Sequence, residues 1–275
     1  MIHPLRVIRL PLRARDARRI SDTVAAAAPL LAQNQLVELL DLVKDADSVE
    51  LKLSVDASHQ RSAVEALGLD PLEAQVRLVH FFDTPDLALE RAGVVVRARR
   101  VQGKGDDTVV KLRPVRPPDL SKRLRRHPEF VVEVDAMTTG FVCSGSFKGV
   151  AQDAIRESRA RGAPLRKLFT KEQRAFYAQH APEGIGLDDL VVLGPIFVLK
   201  MKGTPPAYGR KLVVELWLYP DGDRILEIST KCAPSEAFQV AAETRAFLGE
   251  RGIASAENQQ TKTRKALEFF SKHPD

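Results

Sequence analysis

The stretch His80–Arg100, HFFDTPDLALERAGVVVRARR, decides the fold. Its second half, Gly93 to Arg99, has the β-branched content and two-residue rhythm of a strand. Side chains alternate across a strand, so Arg97 and Arg99 fall on one face and Val94, Val96 and Ala98 on the other. One such strand is what any half-exposed antiparallel sheet shows. The recurrence of the pattern along the chain is what carries information.

Val49 to Leu53 sets Glu50 and Lys52 against Val49, Leu51 and Leu53, and Thr108 to Arg113 sets Lys111 and Arg113 against Val110 and Leu112. From Glu129 to Val134 both glutamates, Glu129 and Glu133, oppose Phe130, Val132 and Val134. Phe197 to Lys202 pairs Lys200 with Lys202, and two further strands, Val213 to Trp217 and Ile225 to Lys231, contribute Glu215, Glu227 and Lys231. A solvated face usually mixes Ser, Thr and Gln with Lys, whereas these carry Glu, Arg and Lys at almost every alternate position. The expected fold is therefore α+β: a closed antiparallel β-barrel of about eight strands, with a tunnel lumen lined by charges and helices covering its apolar outside. A lumen of many cations and few carboxylates is costly to desolvate unless a ligand and metal ions neutralise it. It suits a polyanion such as a chain of phosphates, with carboxylates holding the metal.

These residues resemble the CYTH family, the triphosphate tunnel metalloenzymes. The likeness runs through Ser48-Val49-Glu50-Leu51-Lys52, the turn Phe81-Phe82-Asp83-Thr84-Pro85-Asp86-Leu87 and the arginine strand Arg97-Ala98-Arg99. Lys111 and Arg113 fall where the family has a phosphate-binding strand; Arg174, Glu227 and Lys231 are looser matches, and Thr261-Lys262-Thr263 resembles a Ser/Thr-Lys element near the family's C-terminus. The resemblance covers roughly residues 46–270. It implies metal-dependent hydrolysis of tripolyphosphate or of a nucleoside or organic triphosphate, with adenylate cyclisation as a variant. Lys52, Arg97, Arg99, Lys111, Arg113, Lys200 and Lys231 are the candidate phosphate contacts, the arginines offering bidentate forks. Glu50, Glu215 and Glu227 are the candidate ligands for Mg²⁺ or Mn²⁺, with Glu133 a weaker one. Glu50, Lys52 and Glu227 are assigned to the reaction itself. The chain departs from the family at Ser48, where a first glutamate is expected, and at Ser229, where a second carboxylate often follows Glu227. These losses predict slow hydrolysis, or a non-catalytic sensor of phosphate chains on the same barrel.

The remainder narrows the field. A chain of 275 residues can bury one large core, and its formal charge of +6 points to an anionic partner. Two cysteines give neither metal spacing nor a disulfide framework, which favours a reducing, cytoplasmic setting. No apolar run approaches membrane-spanning length. The arginines up to Arg19 and the short apolar run broken by Pro29 do not make a secretion signal. Residues 1–45 are expected to form a helical appendage, with a strand at Val7–Leu12 and helices at Asp16–Ala28 and Asn34–Val43, and residues 46–275 the tunnel domain. Ser146 is expected to cap a helix with Phe147, Val150, Ala151, Ala154 and Ile155 on one side, and Leu168–Tyr177 to be a strand. Helices are expected over Pro234–Gly249 and Lys265–Ser271. The scattered histidines have no zinc spacing, and no phosphate-binding glycine loop, dinucleotide fingerprint or nucleophile elbow is present. Nucleic acid ranks last as a partner, because exposed aromatics do not interleave with the basic residues.

Overall fold

Alternation of apolar and charged residues gives nine strands. They are β1 (Ser48–Val55), β2 (Gln75–Asp83), β3 (Val94–Val101), β4 (Asp106–Leu112), β5 (Phe130–Met137), β6 (Gly140–Ala151), β7 (Val191–Gly203), β8 (Leu212–Leu218) and β9 (Arg224–Cys232). The computed structural model describes residues 40–138, 140–151, 162–256 and 261–273, so the elements expected before residue 40 lie outside the described residues. The strands close into a barrel in the order β1-β5-β6-β4-β3-β2-β7-β8-β9, with β9 pairing back onto β1. The expected closed barrel is thus present, with nine strands. Every pairing is antiparallel except β1 with β5, where the intervening hairpins supply the long crossover that parallel neighbours need.

The Phe-Asp-Thr-Pro turn is a fastening between β2 and β3. Asp83 is buried, and its carboxylate accepts from the backbone N–H groups of Thr84 (2.7 Å), Leu89 (2.8 Å) and Glu90 (3.0 Å), capping the short helix α2 (Ala88–Arg91) that follows α1 (Gln60–Ala66). Gly93 then enters β3 at φ 73°, and a Cβ there would stand 2.6 Å from the Arg113 carbonyl oxygen. Only glycine fits that approach.

The apolar strand faces point outward and are covered. Val55, Met201, Leu212, Val214, Leu226 and Ile228 pack with Ala63 and Leu67 beside α1 and with Phe247 and Leu248 of a later helix, Ala237–Gly249. After the one-turn α3 (Lys122–Arg125), α4 (Lys171–His180) covers another part of the wall, where Phe176 meets Phe130 and Phe147. The helices are completed by α5 (Ala237–Gly249) and α6 (Lys262–Lys272), in agreement with the C-terminal expectations. Among the described residues no helix is long and apolar enough to cross a membrane, and Cys143 and Cys232 are free and buried.

Two expectations are corrected. Ser146, Phe147, Val150 and Ala151 lie in β6, whose backbone pairs with both β4 and β5, and a Cβ at Gly145 or Gly149 of the same strand would stand 2.7 Å from Phe130 or Gln173. Ala154 and Ile155 lie outside the described residues. The segment around Lys171–His180 is a helix, opened by a Thr170–Gln173 capping box. Lys171 and Arg174, which cannot share a face of a regular strand, have the spacing of helical neighbours. Glu129 precedes β5 and is exposed.

Gln173 locks α4 to the barrel. Its fully buried amide donates to the carbonyl oxygens of Thr108 (3.1 Å) and Phe147 (3.2 Å), and its oxygen accepts from Thr108 Oγ1 (3.0 Å). Gly149 leaves the room, since a Cβ there would lie 2.7 Å from Gln173 Oε1. Gln173→Ala strands these buried groups and is expected to cost about 2–4 kcal/mol in urea unfolding; a loss below about 0.5 kcal/mol would show that α4 is held by its aromatic contacts alone.

Candidate functional site

Register decides which side chains share the lumen. Glu50 is opposite Asp135 on β5 and Lys231 on β9; Glu215 is opposite Lys200 on β7 and Glu227 on β9; Arg99 is opposite Asp107 on β4. Ion pairs also reach over an intervening strand. Lys111 (3.8 Å) and Arg113 (3.3 Å), from β4 and its end, approach Asp135 across β6, and Arg77 of β2 approaches Glu215 of β8 (3.8 Å) across β7. Such contacts form where strand faces converge, which places these charges inside the barrel.

The carboxylates fall into two groups. Glu50, Glu133 and Asp135 each offer an oxygen within 4.8 Å of the others. Lys52 bridges Asp135 (2.8 Å) and Glu50 (3.2 Å), Lys231 pairs with Glu133, and Ser48 Oγ lies 3.5 Å from Glu133 Oε1. Burial pushes the Asp135 carboxyl up, but Lys52, Lys111 and Arg113 outweigh it and hold the group at about 2. Glu50 is likewise held below its ordinary value by Lys52 against burial. The second group is Glu215 and Glu227, joined by the Lys262 ammonium at 2.6 Å and 2.7 Å. Against burial, Lys262 and Lys200 keep Glu215 well below the usual carboxylate range. The structure therefore separates the sequence candidates for metal ligation: Glu50 sits with Glu133 and Asp135, whereas Glu215 and Glu227 meet on a lysine.

The cations are less evenly balanced. Arg99 has Asp107 at 2.7 Å, and Lys200 has Glu215 at 3.2 Å. Arg97 has no ion pair among the described residues, and its buried Nε has no hydrogen-bond partner there. Burial, reinforced by neighbouring Arg99, presses its guanidinium down to about 9, and burial takes Lys111 down to about 8 despite Asp135. An arginine stays protonated regardless, so the strain is carried as unfavourable free energy.

Lys52, Arg97, Arg99, Lys111, Lys200, Glu50, Glu215 and Glu227 share the charged strand faces, while Arg113 stands just past the end of β4 and Lys231 is 49% exposed where it pairs with Glu133. Arg174, the looser match, is instead on α4 outside the barrel, where its Nη1 donates to the Phe169 carbonyl oxygen. Three lumen residues went unassigned in the sequence: Asp135, Arg77 and Lys262. Asp135 continues the Glu133 alternation one step further, and Arg77 precedes the decisive turn on the same strand, so both signals were present. Lys262 enters from a helix, beyond the reach of strand periodicity. The charge lining is also incomplete. At one end Val79, Ile196, Val198 and Trp217 pack against Ala266, Leu267 and Phe270 of α6, an apolar seal in place of a charged wall.

Among solved structures with this fold, a candidate adenylyl cyclase from Hippeastrum, described as having a dominant triphosphatase activity, superposes with TM-score 0.58 at 19% identity, over 80% of this chain and 95% of its own. A candidate adenylate cyclase from Bacillus halodurans superposes with TM-score 0.55 at 13% identity, over 80% of this chain and 97% of its own. At these identities the likeness is one of fold. No protein-family model and no curated protein matches the sequence.

The unbalanced cation makes a direct prediction. Arg97→Met is expected to raise the stability of the unliganded protein by about 1–2 kcal/mol in thermal melts, since it removes a poorly compensated charge from the lumen. A lower melting temperature would mean that Arg97 is already balanced.

Proposed function

We propose that this protein is a divergent CYTH-family member that binds tripolyphosphate, or a nucleoside or organic triphosphate, inside the barrel and hydrolyses it slowly with Mg²⁺ or Mn²⁺. The observation that carries this reading is Arg97, buried at Nε without a partner among the described residues and flanked by Arg99. A polyanion would relieve that strain in a way that water and the nearby carboxylates do not. The fold shared with the Hippeastrum and Bacillus proteins and the motif resemblance support the same class.

In this reading Arg97, Arg99, Lys111, Arg113, Lys200 and Lys231 neutralise phosphoryl oxygens, and Lys52 holds the chain against the Glu50 group. Carboxylate oxygens suit a hard divalent ion, and the spacing of Glu50, Glu133 and Asp135 fits one. When bound there, the ion supplies positive charge to the phosphoryl oxygens during in-line displacement. Glu50 has one carboxylate oxygen on Lys52, which leaves the other to accept a hydrogen bond from the attacking water. Glu227 acts at one remove, by fixing Lys262. The free thiols of Cys143 and Cys232 support a reducing, cytoplasmic setting.

A second reading, a non-catalytic sensor of phosphate chains, is favoured by Ser48 and Ser229, which leave the lumen short of carboxylates. Phosphate release from tripolyphosphate and ATP with Mg²⁺ or Mn²⁺ separates the two. Wild type is expected to release phosphate and Glu50→Gln to lose roughly 10²-fold or more of the rate. Equal, near-background rates would remove hydrolysis and leave the sensor, and absence of calorimetric binding at millimolar tripolyphosphate would remove that as well.

A further inference from the structure

Glu215 and Glu227 have the outward form of a metal site, yet the atoms around them are already committed. Glu215 Oε1 faces Lys200 (3.2 Å) and Arg77 (3.8 Å); its Oε2 accepts from Lys262 Nζ (2.6 Å) and Trp217 Nε1 (3.2 Å). Glu227 Oε1 accepts from the same Lys262 ammonium at 2.7 Å. Both oxygens of Glu215 are thus engaged by donors. The other group also meets cations, with Lys52 between Asp135 (2.8 Å) and Glu50 (3.2 Å) and with Lys111 and Arg113 on the second oxygen of Asp135, but Glu50 and Glu133 each keep one oxygen clear of cations among the described residues, whereas in the first pair only Glu227 does.

Lys262 is placed by more than its own flexible chain. It opens α6, whose first turn is capped by Thr261, and Tyr219 Oη donates to the Lys262 carbonyl oxygen at 3.0 Å. Behind it Ala266, Leu267 and Phe270 anchor α6 in the apolar seal, and the ammonium stands 5.0 Å from the centre of the Trp217 ring. A helix N-terminus adds positive potential beside the two carboxylates.

We infer that Lys262 is a built-in counter-cation that takes the place of a divalent ion between Glu215 and Glu227, leaving one divalent position in the lumen, on Glu50, Glu133 and Asp135. The location of that remaining position rests on the function proposed above; the occupancy of Glu215 and Glu227 by Lys262 does not. The helix that seals the barrel thereby also sets its metal stoichiometry, and the loss of a carboxylate at Ser229 loses its consequence because no ion is to be held there.

The test is Mn²⁺ binding to the full chain without substrate, with free Mn²⁺ followed by electron paramagnetic resonance. Wild type is expected to bind one Mn²⁺ per chain and Lys262→Met one more; adding Glu227→Gln to Lys262→Met should abolish the gain. Equal stoichiometry in wild type and Lys262→Met, or two ions in wild type, would overturn the inference. Failure of the proposed function shows differently, as a wild-type stoichiometry of zero that Glu50→Gln does not change, while the gain in Lys262→Met persists. Removing Lys262 leaves two close carboxylates and weakens the fold, so thermal melts supply a second readout. Mn²⁺ should raise the melting temperature of Lys262→Met more than that of wild type, and an equal or smaller rise would count against the inference.

Discussion

Closure of the sheet through the β9–β1 pairing forces the polar faces of nine strands into one enclosed volume. Every charge admitted there loses water and must find a counter-charge in the lumen or in a ligand. Asp135 meets the requirement in charge, with Lys52, Lys111 and Arg113 around one carboxylate. Arg97 does not, and its cost is borne by the fold as a whole. Stability and ligand affinity therefore pull against each other at that residue, as expected where a binding surface is preorganised for a charge it does not itself contain.

Part of the lumen is apolar, where Val79, Ile196, Val198 and Trp217 pack against α6. The same helix thus serves packing and electrostatics: its apolar side completes a core, and its first residue delivers a cation to Glu215 and Glu227.

Much of this was legible in the sequence because strand alternation is a strict code. Once Arg97 and Arg99 are given a face, the register of β3 with β2 and β4 fixes the rest, and Glu50, Lys52, Lys111 and Glu227 follow by the same parity. The code failed where another period intruded. In β6, Phe147, Val150 and Ala151 fall at spacings of three and four and so imitated a helix face. Leu168–Tyr177 was expected as a strand although the Thr170–Gln173 box marks a helix start. Asp135 and Arg77 obey the alternation and were lost only through strand ends drawn too short. Lys262 was reached only through the resemblance at Thr261-Lys262-Thr263, since a side chain contributed to a barrel by a helix leaves no trace in strand parity.

The central claim is that the arginine and lysine faces look into an enclosed lumen and hold an oxyanion there. Anomalous diffraction from crystals soaked with tungstate, a dense tetrahedral oxyanion, tests it most directly. The account predicts a peak inside the barrel within hydrogen-bonding reach of Arg97, Arg99 and Lys111. Peaks confined to the outer surface, with those three side chains pointing into bulk solvent, would contradict it.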